Sequence, residues 1–316
     1  MNLICISNIV YFLRNNEIIK HEKEIVNYEE SISKTLNIIV TLPFQKIFIK
    51  QHLFYNETNV GIFNNELLIY EQIEEFKLNF GPRLLIYNKR NLISVLEYFA
   101  KKEYVFLDFF KKNNLQLINQ ISSFHSVPRN VYFLDSNPIF TWIYLPDKLN
   151  YKENQVIFLN KTTKDIFEKS KKYWKADNLI HGDIKADNFL INESEIKLID
   201  YELAGLGDPL WDYAFLLQIL MYESIASKFN LFVINGLDYV FEELINIKLL
   251  LKNLPICWTD FEKDKFINYC SSIFILKWIE LPIDLKETFI GTMINKFTVD
   301  FCNNNLKVKK IIFNEI

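Results

Sequence analysis

The stretch HGDIKADNFLINESEIKLID, residues 181–200, collects carboxylate and amide side chains around two short apolar runs. The apolar runs flank a polar segment centred on Glu193–Ser194, and this pattern predicts a β-hairpin. A turn at that centre brings Asn188 and Asp200 to the same end of the hairpin, with Asp183 beside them in the preceding loop. Three such side chains form an unfavourable cluster unless a cation joins them, so the stretch predicts a cation site.

The same segment matches the chemical demands of phosphoryl transfer. A carboxylate has to orient the attacking hydroxyl group and accept its proton, and hard oxygen ligands have to hold Mg²⁺ against the phosphates. A cation has to steady the donor phosphates. Residues 181–200 offer groups of the first two kinds and one candidate cation, Lys185.

Three linked motifs resemble those of a known superfamily. HGDIKADN resembles the catalytic loop of the aminoglycoside phosphotransferase and choline kinase superfamily, and it also fits the protein-kinase pattern H-x-D-x-K-x-x-N. LIDYE is similar to the second metal-binding motif of that superfamily, and GLGDPLWDYA resembles its usual continuation. The resemblance implies an α+β, two-lobed protein-kinase-like fold with a small β-rich N-terminal lobe, and an enzyme that uses ATP and Mg²⁺.

Carried over residue by residue, the resemblance assigns a role to each polar residue of the loop. Asp183 is implied to be the catalytic base, and Asn188 and Asp200 are implied to be the Mg²⁺ ligands. Lys185 falls where a protein kinase keeps a lysine near the transferred phosphate. A simpler reading remains for Asp183, Asp200 and Lys185, because a single aspartate often caps a loop and Lys185 could be a solvated loop lysine.

Two further residues of these motifs are implied to support the loop. His181 would brace it, and Asp212 would tie the following helix back to it. Asp212 also has a simpler reading, because it lies in the first turn of a predicted helix, where the helix dipole alone favours a carboxylate.

The rest of the ATP site has to come from upstream. Lys50 alternates with apolar residues in KIFIKQ (46–51), and the resemblance makes it the lysine that contacts the donor phosphates. Its implied partner on the next helix is Glu66, with Glu71 as the second choice. The alternative is an edge-strand lysine and a solvated glutamate.

Adenine and phosphate contacts are also implied by the resemblance. Adenine would be read by backbone groups at the end of LISVLEYF (92–99), through the Glu97 carbonyl and the Phe99 amide. The chain has no glycine before Gly61, so there is no glycine-rich loop ahead of Lys50. The matching stretch is SISKTLN (31–37), where Ser33 would present backbone groups to phosphate.

The coarse secondary structure divides the chain at about residue 99. We expect a nucleotide-binding lobe over 1–99 and a helical lobe with the catalytic loop and acceptor site over 100–316. The predicted elements, from periodicity and turn residues, are a helix face at Ile9, Phe12 and Leu13, strands at 36–42, 46–51, 84–89 and 92–99, and helices at 64–76 and 115–127. Asp208 is predicted to N-cap a helix whose first turn contains Pro209.

Composition excludes several classes of function. The chain has 316 residues, half of them hydrophobic, and a formal net charge of −3. No field of one sign points to nucleic acid or to an anionic membrane. Four scattered cysteines indicate reduced thiols rather than a disulfide framework. The N-terminal apolar run is too short for a membrane span and lacks a signal-peptide pattern, so a cytoplasmic location is expected, with the oligomeric state left open.

The acceptor is the least determined part. The resemblance favours a hydroxyl-bearing small molecule such as an amino alcohol, a sugar or an aminoglycoside. From Tyr213 onward acidic and basic residues are nearly equal in number, without the acidic surplus that a polycationic aminoglycoside would favour. Trp258, Tyr269 and Trp278 could form an aromatic cage for a choline-like cation, or could simply be core residues.

Other interpretations remain open at this stage. One is a Ser/Thr kinase that acts on a protein or on a peptide, as in the related kinases of lanthipeptide precursors, whose corresponding blocks also resemble HGDIKADN and IDYELAGLGDPLWD. Another is a pseudokinase that binds nucleotide and serves as an interaction module. A third is a helical protein in which the match is accidental, which would lack the strand-rich N-terminal part.

Overall fold

The structure is a computed structural model, and it describes residues 6–32, 35–100, 104–128, 161–192, 195–227 and 245–313. It forms two compact units. One consists of Met1–Lys102 with Asn188–Ala204, and the other of Glu103–Asp187 with Gly205–Ile316. A β-sheet region thus comes first and a mostly helical region follows, as the sequence predicts.

The strands, in chain order, are β1 Asn27–Ile32, β2 Thr35–Thr41, β3 Lys46–His52, β4 Leu84–Asn88, β5 Ile93–Glu97, β6 Asn178–Ile180, β7 Phe189–Ile191, β8 Ile196–Leu198 and β9 Gly205–Gly207. The helices described are α1 Ile6–Asn15, α2 Glu57–Glu75, α3 Phe106–His125, α4 Lys161–Tyr173, α5 Pro209–Ser227, α6 Ile245–Asn253, α7 Asp260–Glu280, α8 Ile283–Lys286, α9 Phe289–Asn303 and α10 Asn305–Phe313. No helix among the described residues is long and apolar enough to span a membrane.

The first unit is built on a five-stranded antiparallel sheet with the order β1-β2-β3-β5-β4. The four strands predicted upstream are found as β2, β3, β4 and β5, and β2 pairs with β3 and β4 with β5. β1 is a strand that the sequence analysis missed. All six of its residues are exposed. Its sequence, NYEESI, therefore lacks the alternation of apolar and polar residues by which a half-buried strand is predicted.

One face of this sheet is the core of the first unit. Alternate residues of the strands, including Ile38 of β2 and Ile49 of β3, are fully buried against α1. The predicted apolar face of α1 is confirmed, because Ile9, Phe12 and Leu13 all belong to that cluster. The opposite face of β2 and β3 does not pack against α1, and the candidate functional residues described below lie on it.

The helix that follows β3 is longer than predicted. The sequence indicates a start at residue 64, but α2 begins at Glu57, where the Asn56 side chain accepts a hydrogen bond from the Asn59 N–H at 2.8 Å. The first turns were not predicted because Gly61 and its neighbours are weak helix formers. The Asn56 cap outweighs their low helix propensity.

The second unit is mainly helical, and α5 packs along α7 at its centre. The predicted capping of α5 is confirmed: its first residue is Pro209, and the Leu210 N–H donates to Asp208 Oδ1 at 3.1 Å. The predicted helix at 115–127 is part of α3, which begins earlier, at Phe106, and has non-helical dihedrals at Asn113.

Candidate active site

A buried ion-pair cluster lies on the open face of the sheet in the first unit. Lys50 of β3 faces away from the α1 core, and its Nζ lies 3.1 and 2.9 Å from the two carboxylate oxygens of Glu66. The same Nζ lies 2.9 Å from Asp200 Oδ1. Burial would lower the pKa of Lys50, but the charges of Glu66 and Asp200 outweigh burial and raise the pKa, so the ammonium stays charged. The structure thus pairs Lys50 with Glu66, the first choice, and Glu71 instead bonds to Tyr87.

The hairpin β7–β8 holds Asn188 and Asp200 at one end, as the sequence predicts. Phe189 lies opposite Leu198, and the Ile199 N–H donates to the Asn188 carbonyl at 3.0 Å. Residues 193–194, where the turn was predicted, lie outside the described residues. Asp183 belongs to the other unit, so its predicted approach to these two residues stays a prediction.

Asp200 has an uncommon backbone conformation. Its φ is 68°, in the left-handed region that non-glycine residues rarely adopt. The chain after it is fixed by the Asn65 side-chain amide, which donates to the carbonyls of Tyr201 at 3.2 Å and Ala204 at 2.6 Å. Backbone strain of this kind persists only where neighbours enforce it, and it often accompanies a functional side chain.

A cavity of about 500 Å³ lies in the first unit beside this cluster, a volume typical of small-ligand sites. Its apolar wall comprises Ile39, Phe48, Leu96, Leu190 and Ile199. Its polar lining comprises Ser31, Thr35, Asn37, Lys50, Glu66, Asn188 and Asp200. The cavity therefore has apolar surface for a flat ring and charged groups for an anionic ligand that carries a metal ion.

The predicted adenine-reading segment borders this cavity. Glu97, Tyr98 and Phe99 are all lining residues. The Glu97 N–H donates to Arg83 O at 2.9 Å and the Tyr98 N–H to Lys46 O at 3.3 Å, so both amides are used within the sheet. The proposed roles of the Glu97 carbonyl and the Phe99 amide stay predictions. Ser33 lies outside the described residues.

The donor set at the end of the β7–β8 hairpin suits magnesium. Asn188 offers an amide oxygen and Asp200 a carboxylate, and Mg²⁺ prefers oxygen ligands while keeping several sites for water and phosphate. Among the described residues no group of three or more His, Cys, Asp or Glu side chains could hold a metal ion. Asn188 and Asp200 therefore fit an ion that completes its coordination with water or phosphate.

Asp183, in the loop after β6 of the second unit, is held by two lysines. Lys185 Nζ lies 2.8 Å from Asp183 Oδ2, and Lys277 Nζ of α7 lies 3.0 Å from Oδ1. Burial acts to raise the pKa of Asp183, but the charges of Lys277 and Lys185 outweigh it and lower the pKa from 3.8 to about 2. Asp183 is therefore ionised at neutral pH.

Asp212 and His181 are found where they can brace this loop. The fully buried carboxylate of Asp212 accepts the backbone N–H groups of His181 at 2.8 Å and Gly182 at 2.9 Å. His181 Nδ1 accepts the Asp183 N–H at 3.4 Å. Gly182 has a φ of 80°, which a residue with a side chain rarely adopts. The loop geometry thus depends on a glycine and a buried carboxylate.

Two residues of this region were missed by the sequence analysis. His125 of α3 lies with Nε2 2.9 Å from Asp212 Oδ2, and Lys277 reaches Asp183 from α7. The only signal for Lys277 was a lysine inside the apolar run FINYCSSIFILKWIEL. Periodicity alone does not tell such a lysine from one that extends its ammonium group to solvent.

The fold and the lysine–glutamate–aspartate cluster define a protein-kinase-like protein. A sequence model described as the phosphotransferase enzyme family, APH, matches residues 115–233. The chain is 24% identical over 241 residues to the Protein LicA homolog of Mycoplasma capricolum subsp. capricolum, covering 70% of this chain and 91% of that protein.

Solved structures share the fold. Choline kinase LicA from Streptococcus pneumoniae matches with a TM-score of 0.57 and 14% identity, over 94% of this chain and 98% of that one. The GDP complex of an aminoglycoside 2'-phosphotransferase-IIIa mutant matches with a TM-score of 0.61 and 12% identity, over 96% of this chain and all of that one. Together these findings show that the chain is similar to the phosphotransferase enzyme family and shares the fold of choline kinases and aminoglycoside phosphotransferases.

Proposed function

We propose that this protein uses Mg·ATP to phosphorylate the hydroxyl group of a small molecule. The observation that carries the proposal is the Lys50–Glu66–Asp200 cluster, which lines a cavity together with Asn188. A buried ammonium group held between two carboxylates is costly as a purely structural feature. It is well suited to the polyphosphate of a nucleotide, with which it can form a charge-assisted bond.

The donor would occupy the cavity of the first unit. Its base would lie on the apolar wall, which includes Phe48 and Leu96, and its phosphates would lie near Lys50. Asn188 and Asp200 would hold Mg²⁺, which when bound neutralises charge on the donor phosphates. Thr35 and Asn37 line the polar part of the cavity and would supply the phosphate contacts that a glycine-rich loop gives elsewhere.

Asp183 would act as the base. The acceptor hydroxyl donates its proton to the Asp183 carboxylate while its oxygen forms a bond to the γ-phosphorus, and the bond from that phosphorus to the bridging oxygen breaks, releasing ADP. Because this transition state is loose, orienting the hydroxyl matters more than a strongly basic group. The low pKa of Asp183 keeps it ionised and able to accept the hydrogen bond.

A peptide acceptor is the second candidate, because Lys185 completes the pattern of protein kinases and contacts Asp183. The small-molecule reading is favoured by the choline kinase and aminoglycoside phosphotransferase neighbours. A pseudokinase is disfavoured because the chain keeps Lys50, Asp183, Asn188 and Asp200.

An acceptor screen with the full chain tests the proposal. The protein is incubated with Mg²⁺ and γ-labelled ATP or GTP, together with sugars, polyols, amino alcohols, aminoglycosides and Ser/Thr peptides. We expect label in at least one small alcohol and none in the matched reaction of Asp183→Asn. Label only in peptides would overturn the small-molecule acceptor. Binding of nucleotide without transfer to any acceptor would overturn catalysis.

A further inference from the structure

We propose that Lys277 is a specificity-determining residue that excludes acceptors with a positive charge next to the reacting hydroxyl. The inference rests on the proposed function and narrows its acceptor class to uncharged or anionic alcohols. It separates this protein from kinases whose acceptor is a quaternary ammonium alcohol.

Lys277 lies directly beside the carboxylate of Asp183. Its Nζ lies 3.0 Å from Asp183 Oδ1, and its side chain is only 17% exposed. An acceptor that donates its hydroxyl proton to Asp183 has to place the carbons next to that hydroxyl beside this ammonium group. Whatever charge those carbons carry is therefore felt by Lys277 at short range and with little solvent screening.

The ammonium group of Lys277 itself occupies a typical cation-binding site. The ammonium lies 5.1 Å from the ring centroid of Phe215 and 3.0 Å from Glu280 Oε2. An aromatic face with a nearby carboxylate is the combination that binds a quaternary ammonium ligand. Here a side chain of the protein fills that place, and Glu280 compensates the charge of Lys277 rather than that of a ligand.

Three aromatic residues, Trp258, Tyr269 and Trp278, were candidates for an aromatic cage around a ligand cation. Tyr269 packs in the core against Trp174 and Trp211. Trp258 packs against Phe266 and Phe313. Trp278 is only 5% exposed, and the Lys286 ammonium lies over its ring at 5.8 Å. Tyr269 and Trp278 are therefore core residues and Trp258 is half-buried, and within the described part of the chain the three have different neighbours and do not form a cage.

The expected size follows from like-charge repulsion. In choline two carbons separate the ammonium from the hydroxyl, so both cations would lie within several ångströms. Asp183 and Glu280 offset part of this repulsion. At an effective dielectric constant near 20, the remainder lowers affinity roughly tenfold or more. A neutral alcohol of the same shape does not meet this repulsion.

The test compares choline with its neutral carbon isostere, in which a quaternary carbon replaces the nitrogen. With Mg·ATP and an acceptor found by the screen, each compound is measured as a substrate or competitive inhibitor. We expect the wild-type protein to prefer the isostere roughly tenfold or more. Lys277→Met should shift this ratio toward choline by at least tenfold. Lys277→Arg keeps the charge and should keep the preference.

Lys286→Met is the matched control, because it removes another ammonium group that lies over an indole ring, away from Asp183. A wild-type preference for choline would overturn the inference, and so would an unchanged ratio in Lys277→Met. An absence of choline binding in Lys277→Met would also contradict it. Failure of the proposed function looks different, because no alcohol then receives phosphate from the wild-type protein.

Discussion

The two compact units each contain a cluster of three charged side chains, and the two clusters have opposite compositions. In the first unit one ammonium, that of Lys50, is shared by the carboxylates of Glu66 and Asp200. In the second unit one carboxylate, that of Asp183, is shared by the ammoniums of Lys185 and Lys277. Counted over these three side chains alone, the first trio has an excess negative charge and the second an excess positive charge, part of which Glu280 offsets beside Lys277.

The difference in charge indicates that the two trios have different roles. A trio with excess negative charge accommodates an additional cation, which suits a site for Mg²⁺ beside phosphates. A trio with excess positive charge keeps its single carboxylate ionised and tolerates the negative charge of a transferred phosphate. Each prediction below, except the one for Asn37 in the cavity, removes one member of a trio and tests whether the two trios behave differently.

The largest effect is expected from Asp183→Asn. The amide cannot accept the proton of the acceptor hydroxyl, so transfer should fall by about 10²–10⁴-fold, the usual contribution of a general base. Steady-state transfer of labelled phosphate measures this. Asp187→Asn, at an exposed position of the same loop, is the control and should keep near wild-type turnover. Normal turnover in Asp183→Asn would show that Asp183 is not the general base.

The second effect is on stability, from Lys50→Met. It leaves the carboxylate of Glu66, whose side chain is only 4% exposed, without its ammonium partner. Breaking a buried pair in this way costs about 3 kcal/mol. Urea unfolding measures the loss, and a second change, Glu66→Gln, should restore part of it. Lys46→Met, at an exposed position of the same strand, should cost less than about 1 kcal/mol.

The third effect is a pH dependence of stability that the second trio should cause. The pKa of Asp183 is lowered from 3.8 to about 2, so the unfolded chain binds a proton first as the pH falls. The stability from this group is complete above about pH 5 and is lost as the pH falls towards 2. Its size is about 2 kcal/mol at most.

Unfolding free energies measured in urea at about pH 5 and pH 3 would reveal this dependence. Wild type should lose more stability than Asp183→Asn over that interval. Equal losses in the two proteins would mean that the two lysines do not stabilise the ionised carboxylate.

The smallest effect is expected from Asn37→Ala in the cavity of the first unit. Asn37 lies opposite Lys50 in the β2–β3 register and lines the cavity. Loss of one hydrogen bond to a phosphate should raise the KM for ATP about three- to tenfold with little change in kcat. Asn91→Ala, in the turn between β4 and β5, is a control away from the cavity lining. An unchanged KM in Asn37→Ala would show that Asn37 does not supply the phosphate contacts that a glycine-rich loop makes elsewhere.

Local patterns predicted most of the fold. Alternating apolar residues gave β2 and β3, and the N-cap and proline gave the start of α5. β1 was missed because NYEESI is exposed on both faces, so only its pairing with β2 reveals it. The start of α2 was missed because a cap at Asn56 outweighs weak helix formers that follow it.

The site divides in the same way. The loop and hairpin residues lie within twenty positions of one another, so motif spacing was enough to find them. Lys277 and His125 reach the loop from α7 and α3, and no local pattern links such distant positions. Lys50 and Glu66 were found through the resemblance, because a strand lysine and a helix glutamate are by themselves unremarkable.

The central claim is that the two trios have separate tasks, and isothermal titration with Mg·ATP tests it most directly. Asp183→Asn should bind Mg·ATP within about twofold of wild type, because its carboxylate acts on the acceptor. Asp200→Asn should lose at least about tenfold of the Mg²⁺-dependent affinity, since smaller changes around metal sites already cost that much. Wild-type affinity in Asp200→Asn, or lost affinity in Asp183→Asn, would contradict the account.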